Sequence, residues 1–162
     1  MCTGRVDLAF VLRAFQNGAD GVIIGGCWPG ECHYVTEGNY DALGNMLLGK
    51  KLLEHVGVTP DRLRLEWVSA SEGARFAEVM NDFTEQLREL GPTGGGDGAE
   101  EGNGQRGGDE RSHDEIQTRL EEIRKLIPYI KIQKKDKLAR RLESEDDYDQ
   151  LYTPDEIEKI AR

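Results

Sequence analysis

Cysteine is scarce in this chain, and positive charge is outnumbered. Three thiols among 162 residues is an odd number, and the N-terminus shows no basic stretch followed by an apolar core of the kind that marks secretion. A disulfide scaffold is therefore disfavoured, and the thiols read as reduced groups kept for ligation or redox use. Lys and Arg number 21 against 31 Asp and Glu, giving a net charge of −10. That balance argues against sequence-independent binding to nucleic acid or to an anionic membrane surface, where phosphates want basic side chains, and it points to protein partners. No apolar stretch approaches the roughly 20 residues that a membrane helix needs. The chain reads as cytoplasmic, with neither nucleic acid nor membrane among its expected partners.

What is present is concentrated in Gly25-Gly26-Cys27-Trp28-Pro29-Gly30-Glu31-Cys32-His33-Tyr34. The apolar run Val22-Ile23-Ile24 before it reads as a short buried strand, so Cys27 and Cys32 fall in the loop at a strand's carboxyl end, where open α/β sheets place their ligands. The glycines and Pro29 let the backbone turn tightly, and two sulfurs five positions apart beside His33 are residue types that hold soft metals. The remaining thiol is Cys2. Residue types alone leave several chemistries open. Zinc accepts three sulfurs and one imidazole, although its structural sites usually space each ligand pair two to four apart. An iron–sulfur cluster takes four thiolates as a rule, and this chain supplies three. A nucleophilic cysteine with His33 as its base lacks an identifiable orienting third group.

The flanking chain alternates helix and strand. Asp7 is placed to cap a helix with Phe10, Val11, Ala14 and Phe15 on one face and Gly18 as its stop. Residues 39–56 carry Leu43, Leu47, Leu48, Leu52 and Val56 on one side, closed by Gly57. Arg62 to Val68 alternates charged and apolar residues over a strand's length, an edge or near-edge strand whose charges line a solvated face. Ser69 and Glu72 have capping-box spacing before a helix to about Leu90, striped by Phe76, Val79, Met80, Phe83, Leu87 and Leu90. The expected fold is α/β, a small three-layer parallel sheet of Rossmann or flavodoxin type over residues 1–90. Since nothing precedes Cys2 to serve as the strand before the first helix, the sheet is expected to be N-terminally truncated.

From Gly91 to Gly108 nine of eighteen residues are glycine, so 91–112 reads as a flexible tether. Residues 113–162 read as a charged helical tail. There Ile116, Leu120, Ile123, Ile127 and Ile130 form a seam for packing on another helix or a groove, cut short by Pro128. A basic cluster from Lys131 to Arg141 is followed by the acidic run from Glu143 to Asp149, a self-neutralising pattern. Thr153-Pro154-Asp155-Glu156 has the form of a capped start to a last helical turn.

Four stretches together resemble one family. They are Met1-Cys2-Thr3-Gly4-Arg5-Val6-Asp7, Asn17-Gly18-Ala19-Asp20-Gly21-Val22, the loop from Gly26 to Tyr34, and Arg64-Leu65-Glu66-Trp67-Val68-Ser69-Ala70 with Glu72-Gly73. Their order and separations resemble the delta subunit of methyl-viologen-reducing (F420-non-reducing) hydrogenase, an iron–sulfur family also fused to or associated with the heterodisulfide reductase flavoprotein. The resemblance covers about residues 1–90. It implies a small electron-transfer protein in which Cys2, Cys27 and Cys32 belong to a 2Fe-2S cluster. That cluster would relay electrons between a hydrogenase or formate dehydrogenase and a flavin-bearing heterodisulfide reductase, with no substrate site of its own. Family members carry an upstream segment with a further strand and two more cysteines, so the resemblance also implies an incomplete ligand set in this chain. The competing expectation is a cluster-free or zinc-binding module that docks to a redox complex.

Overall fold

The computed structural model describes residues 2–34, 38–95, 109 and 111–141, with side chains in the last segment described as far as Pro128. The glycine-rich residues 96–108, the acidic run and the last expected helical turn lie outside the described residues, as do the side chains of Ile130 and of the basic cluster.

Among the described residues the sheet has two strands. β1 (Val22–Gly26) runs parallel to β2 (Leu63–Trp67), with Val22 opposite Leu63 and Gly26 opposite Trp67. Parallel neighbours need a crossover, and α2 (Gly38–Val56) supplies it. α1 (Leu8–Gln16) precedes β1, α3 (Gly73–Leu90) follows β2, and α4 (His113–Arg141) comes last. The α/β expectation holds in this form. Val22, Ile23 and Ile24 are only half-buried rather than buried, because a strand with one neighbour in so small a sheet keeps an open edge.

Alternation along β2 sorts its side chains between two helical layers. Leu63, Leu65 and Trp67 are buried in the core shared with α1 and α2, and Gly49 of α2 has no side chain because a Cβ there would press on Leu63 and Leu8. Arg64 and Glu66 sit on the other face beneath α3, where Arg64 pairs with both Glu66 and Asp82 and lies over the Phe83 ring. α3 is covered along only part of its apolar stripe: Val79 and Phe83 are buried, while Phe76 is 53% exposed. α1 likewise buries Leu8, Val11, Leu12 and Phe15 and turns Phe10 outward. Its Asp7 cap forms, the carboxylate accepting from the Ala9 amide at 2.9 Å.

The charge expected on a solvated face at the start of β2 is instead fully buried. Arg62, in a single 3₁₀ turn before β2, has a side-chain exposure of 0%, as does Asp109. Its Nε donates to Asp109 Oδ1 at 3.1 Å, and its two terminal nitrogens donate to the carbonyls of Asp20, Leu90, Gly91 and Pro92. Three of those carbonyls belong to the end of α3 and the residues just after it, which have no helical partners of their own. Arg62 is thus a C-terminal cap reaching across from the turn before the neighbouring strand.

The core extends beyond Leu90. Ile116, Leu120, Ile123 and Ile127 of α4 join the same cluster as Phe15, Leu43, Leu53 and Leu65, so the expected seam packs against α1 and α2. α4 also continues through Pro128 rather than ending there. The proline lies on the exposed side of the helix, the side on which a carbonyl deprived of its helical donor is most easily hydrated.

Candidate thiol site

The N-terminal turn and the cysteine loop meet through glycines. Thr3–Arg5 forms one 3₁₀ turn, and Gly4 lies so close to the carbonyl of Gly38 that any Cβ would overlap it. Asn45 of α2 donates to the Gly4 and Val6 carbonyls at 3.4 and 3.3 Å, and Thr3 Oγ1 donates to Gly25 O at the end of β1 at 2.7 Å. These contacts seat Cys2 at the first turn of α2. On the other side Gly30, at φ +83, and a Glu31 to Trp28 backbone hydrogen bond fold the loop back and bring Cys32 to the same place.

The result is a close pair: Cys2 Sγ and Cys32 Sγ lie 3.6 Å apart. Gly38 makes the room, since a Cβ there would overlap Cys32 Sγ and stand 3.0 Å from Cys2 Sγ. Cys32 is buried, Cys2 half-buried and Cys27 exposed. Burial pushes the Cys32 thiol above its ordinary range, the Tyr34 backbone amide pulls the other way, and the nearby Cys2 and Cys27 add to the rise. A bound metal would offset that cost by holding the sulfur as a thiolate in place of its proton.

Cys27 is held by its backbone, its carbonyl accepting from Asn39 Nδ2 at 2.7 Å. His33 is exposed and meets Tyr34 edge to face, with ring centroids 5.3 Å apart. Among the described residues no three His, Cys, Asp or Glu side chains converge on a single ion position. The structure thus brings Cys2 and Cys32 together and leaves Cys27 and His33 outside that contact. Two thiolates on one tetrahedral metal, with bonds near 2.3 Å, stand about 3.8 Å apart. The observed pair fits such an edge.

Sequence reading passes over the residues that hold the loop from behind. Trp28 donates its indole N–H to Glu72 Oε2 at 2.6 Å, and the Arg75 guanidinium lies 4.8 Å from the centre of its ring. Arg75 also donates to Trp67 O, and Glu72 accepts from the Ser69 amide at 2.7 Å. Only half of the expected capping box forms, and α3 starts at Gly73: the Glu72 carboxylate accepts from the Ser69 amide, but the Glu72 amide donates to the Ser69 carbonyl and the Ser69 hydroxyl meets that of Ser71 instead. Gly38 carries no sequence signal either. The spacing of Trp28, Glu72 and Arg75 has no periodic pattern, so only the resemblance, which includes Trp28 and Glu72, marks two of them.

The fold and these contacts define a class: a small α/β domain with a thiol pair at the carboxyl end of a parallel strand pair. Residues 1–91 match the family described as methyl-viologen-reducing hydrogenase, delta subunit, and the chain belongs to that family. It is 56% identical over 91 residues to the iron-sulfur subunit of the F420-non-reducing hydrogenase of Archaeoglobus profundus, an alignment covering 56% of this chain and 66% of the relative. It is 45% identical over 92 residues to the iron-sulfur subunit of the vhc F420-non-reducing hydrogenase of Methanococcus voltae, covering 57% of this chain and 63% of the relative. A third relative belongs to the Ferredoxin/F(420)H(2)-dependent CoB-CoM heterodisulfide reductase of Methanosarcina acetivorans. There the identity is 47% over 94 residues, covering 58% of this chain but 12% of that much longer protein. The chain therefore spans less than two thirds of the length of each of these three relatives.

Proposed function

We propose that this chain is an iron–sulfur electron-transfer subunit, relaying electrons between a hydrogenase or formate dehydrogenase and a heterodisulfide reductase-type flavoprotein through a 2Fe-2S cluster. The observation that carries the reading is the Cys2 and Cys32 pair at 3.6 Å, inside the span that matches a family whose relatives are named iron-sulfur subunits. Cys2, Cys27 and Cys32 would hold the cluster, which supplies one-electron transfer when bound. This chain's own residues supply the seat. Gly4 and Gly38 let two backbones approach so that the sulfurs of a terminal turn and a loop share one position. Burial of Cys32 keeps water from one sulfur. Glu72 and Arg75 fix Trp28, next to the exposed Cys27, at the surface where a redox partner would approach.

Association with a heterodisulfide reductase is supported by the same domain occurring both in short hydrogenase subunits and within long heterodisulfide reductase chains. Anaerobic purification followed by iron, sulfide and zinc analysis tests the reading. A red-brown protein that binds iron and acid-labile sulfide is expected, with iron content falling by at least half in Cys2→Ala and Cys32→Ala while helical circular dichroism persists. A colourless or zinc-loaded protein, or unchanged iron in both variants, sinks it.

A further inference from the structure

We propose that Cys2 and Cys32 form an oxidisable dithiol: in the metal-free chain, exchange with a low-molecular-weight disulfide closes a Cys2–Cys32 bond and leaves Cys27 as the free thiol. Among the described residues this is the one pair of thiols in sulfur–sulfur contact, at 3.6 Å. A disulfide bond is about 2.05 Å long, so the sulfurs must close by roughly 1.5 Å. Space for that approach exists because Gly38 presents no side chain against either sulfur. Cys27 is placed differently: the residue is exposed, its backbone carbonyl is held by Asn39, and its sulfur makes no such contact with either of the others.

The exchange balances without metal. Cys2, the more exposed of the two, attacks one sulfur of the small disulfide as its thiolate and releases the first small thiol, giving a mixed disulfide. Cys32 then loses its proton and attacks the Cys2 sulfur, expelling the second small thiol. Two protein thiols lose two electrons and two protons, and one small disulfide is reduced to two thiols. Because the same two sulfurs are used, the closed bond and a metal bound to the pair exclude each other. The bond would tie the N-terminal turn to the loop across 30 positions of sequence.

The test uses the full chain, stripped of metal under reductant, freed of reductant, treated with glutathione disulfide, alkylated and peptide-mapped by mass spectrometry. Expected is a linked peptide joining Cys2 to Cys32, about 2 Da lighter than its two reduced halves, with Cys27 carrying the alkyl group. Cys27→Ser should form the same bond at a rate within about twofold, and Cys32→Ser should stop at glutathione attached to Cys2. A Cys27–Cys32 or Cys2–Cys27 bond as the main product, or three mixed disulfides with no protein bond, overturns the proposal. A parallel portion given iron and sulfide separates this inference from the electron-transfer reading. Failure to take up iron there, beside a cleanly formed Cys2–Cys32 bond, counts against the cluster and leaves the dithiol standing.

Discussion

At the scale of single residues, one atom that is not there matters as much as those that are. Gly38 has no Cβ because both sulfurs occupy the place one would take. Gly38→Ala must push Cys32 or Cys2 aside, and overpacking of this kind costs about 1–3 kcal/mol. We expect a lower denaturation midpoint together with lost iron binding, whereas an alanine variant with wild-type values of both would show that the sulfurs have room to spare. Glu72 carries a second expectation. The Ser69 amide, and then the Trp28 indole, hold its carboxyl below the ordinary carboxylate range. A depressed folded value stabilises the folded form above the unfolded pKa, and that contribution is lost as pH falls through the folded one. In a Trp67→Phe background, which sacrifices no protein hydrogen bond because the buried Trp67 Nε1 has no acceptor among the described residues, Trp28 fluorescence should stay level down through the ordinary carboxylate range and change only below it. Glu72→Gln should abolish that change.

Among the elements, the contact that decides most is the one between Arg62 and Asp109. The pair links the start of β2, the end of α3 and the residues leading into α4. Asp109 also accepts from the Thr59 amide at 2.8 Å and the Gly94 amide at 2.7 Å. Asp109→Ala strands a guanidinium that proteins do not deprotonate, and breaking a buried pair this way costs about 3–5 kcal/mol. Urea unfolding should register a loss of that order, and Arg62→Met combined with Asp109→Leu should lose less than Asp109→Ala alone. A single-variant cost below about 1 kcal/mol would mark the pair as surface-like. The legibility of these elements in sequence follows their periodicity. α1, α2, β2 and the α4 seam are readable as elements from their apolar spacing, but the buried sides of α1 and α2 are only partly so: Phe10 points outward, and α2 buries Met46, Gly49 and Leu53 while Leu47, Leu48 and Leu52 of the expected face are half-buried. Arg62 is not readable, since an alternating charge is normally a solvated one and nothing local reveals that three carbonyls around the end of α3 will converge on it. The thiol loop is readable as a site because cysteines and glycines crowd it. The approach of Cys2, thirty positions earlier, comes only from the resemblance, as a contact made by two glycine notches leaves no repeating trace.

For the molecule as a whole, the first half of α4 completes the core. Ile116, Leu120, Ile123 and Ile127 are each at most 7% exposed against partners that include Phe15 and Leu53. Burying one such side chain contributes roughly 1.5–3 kcal/mol, so a chain cut after Leu90 forfeits several times that, and also the Asp109 partner of Arg62. We expect the shortened form to bind a hydrophobic dye and to self-associate in sedimentation, whereas a chain ending at Arg141 should do neither. A well-behaved monomer from residues 1–90 would show that α4 is dispensable.

The Gly94 amide donates to the Asp109 carboxylate across 15 positions of sequence, so the chain departs from and returns to a single point on the molecule. Closing a longer excursion costs little, about 0.6 kcal/mol for each doubling of length. Extra residues, a fluorescent reporter or an affinity handle placed between those two anchors should therefore be carried without disturbing the thiols, which gives a place to attach instruments for following the redox state of the protein.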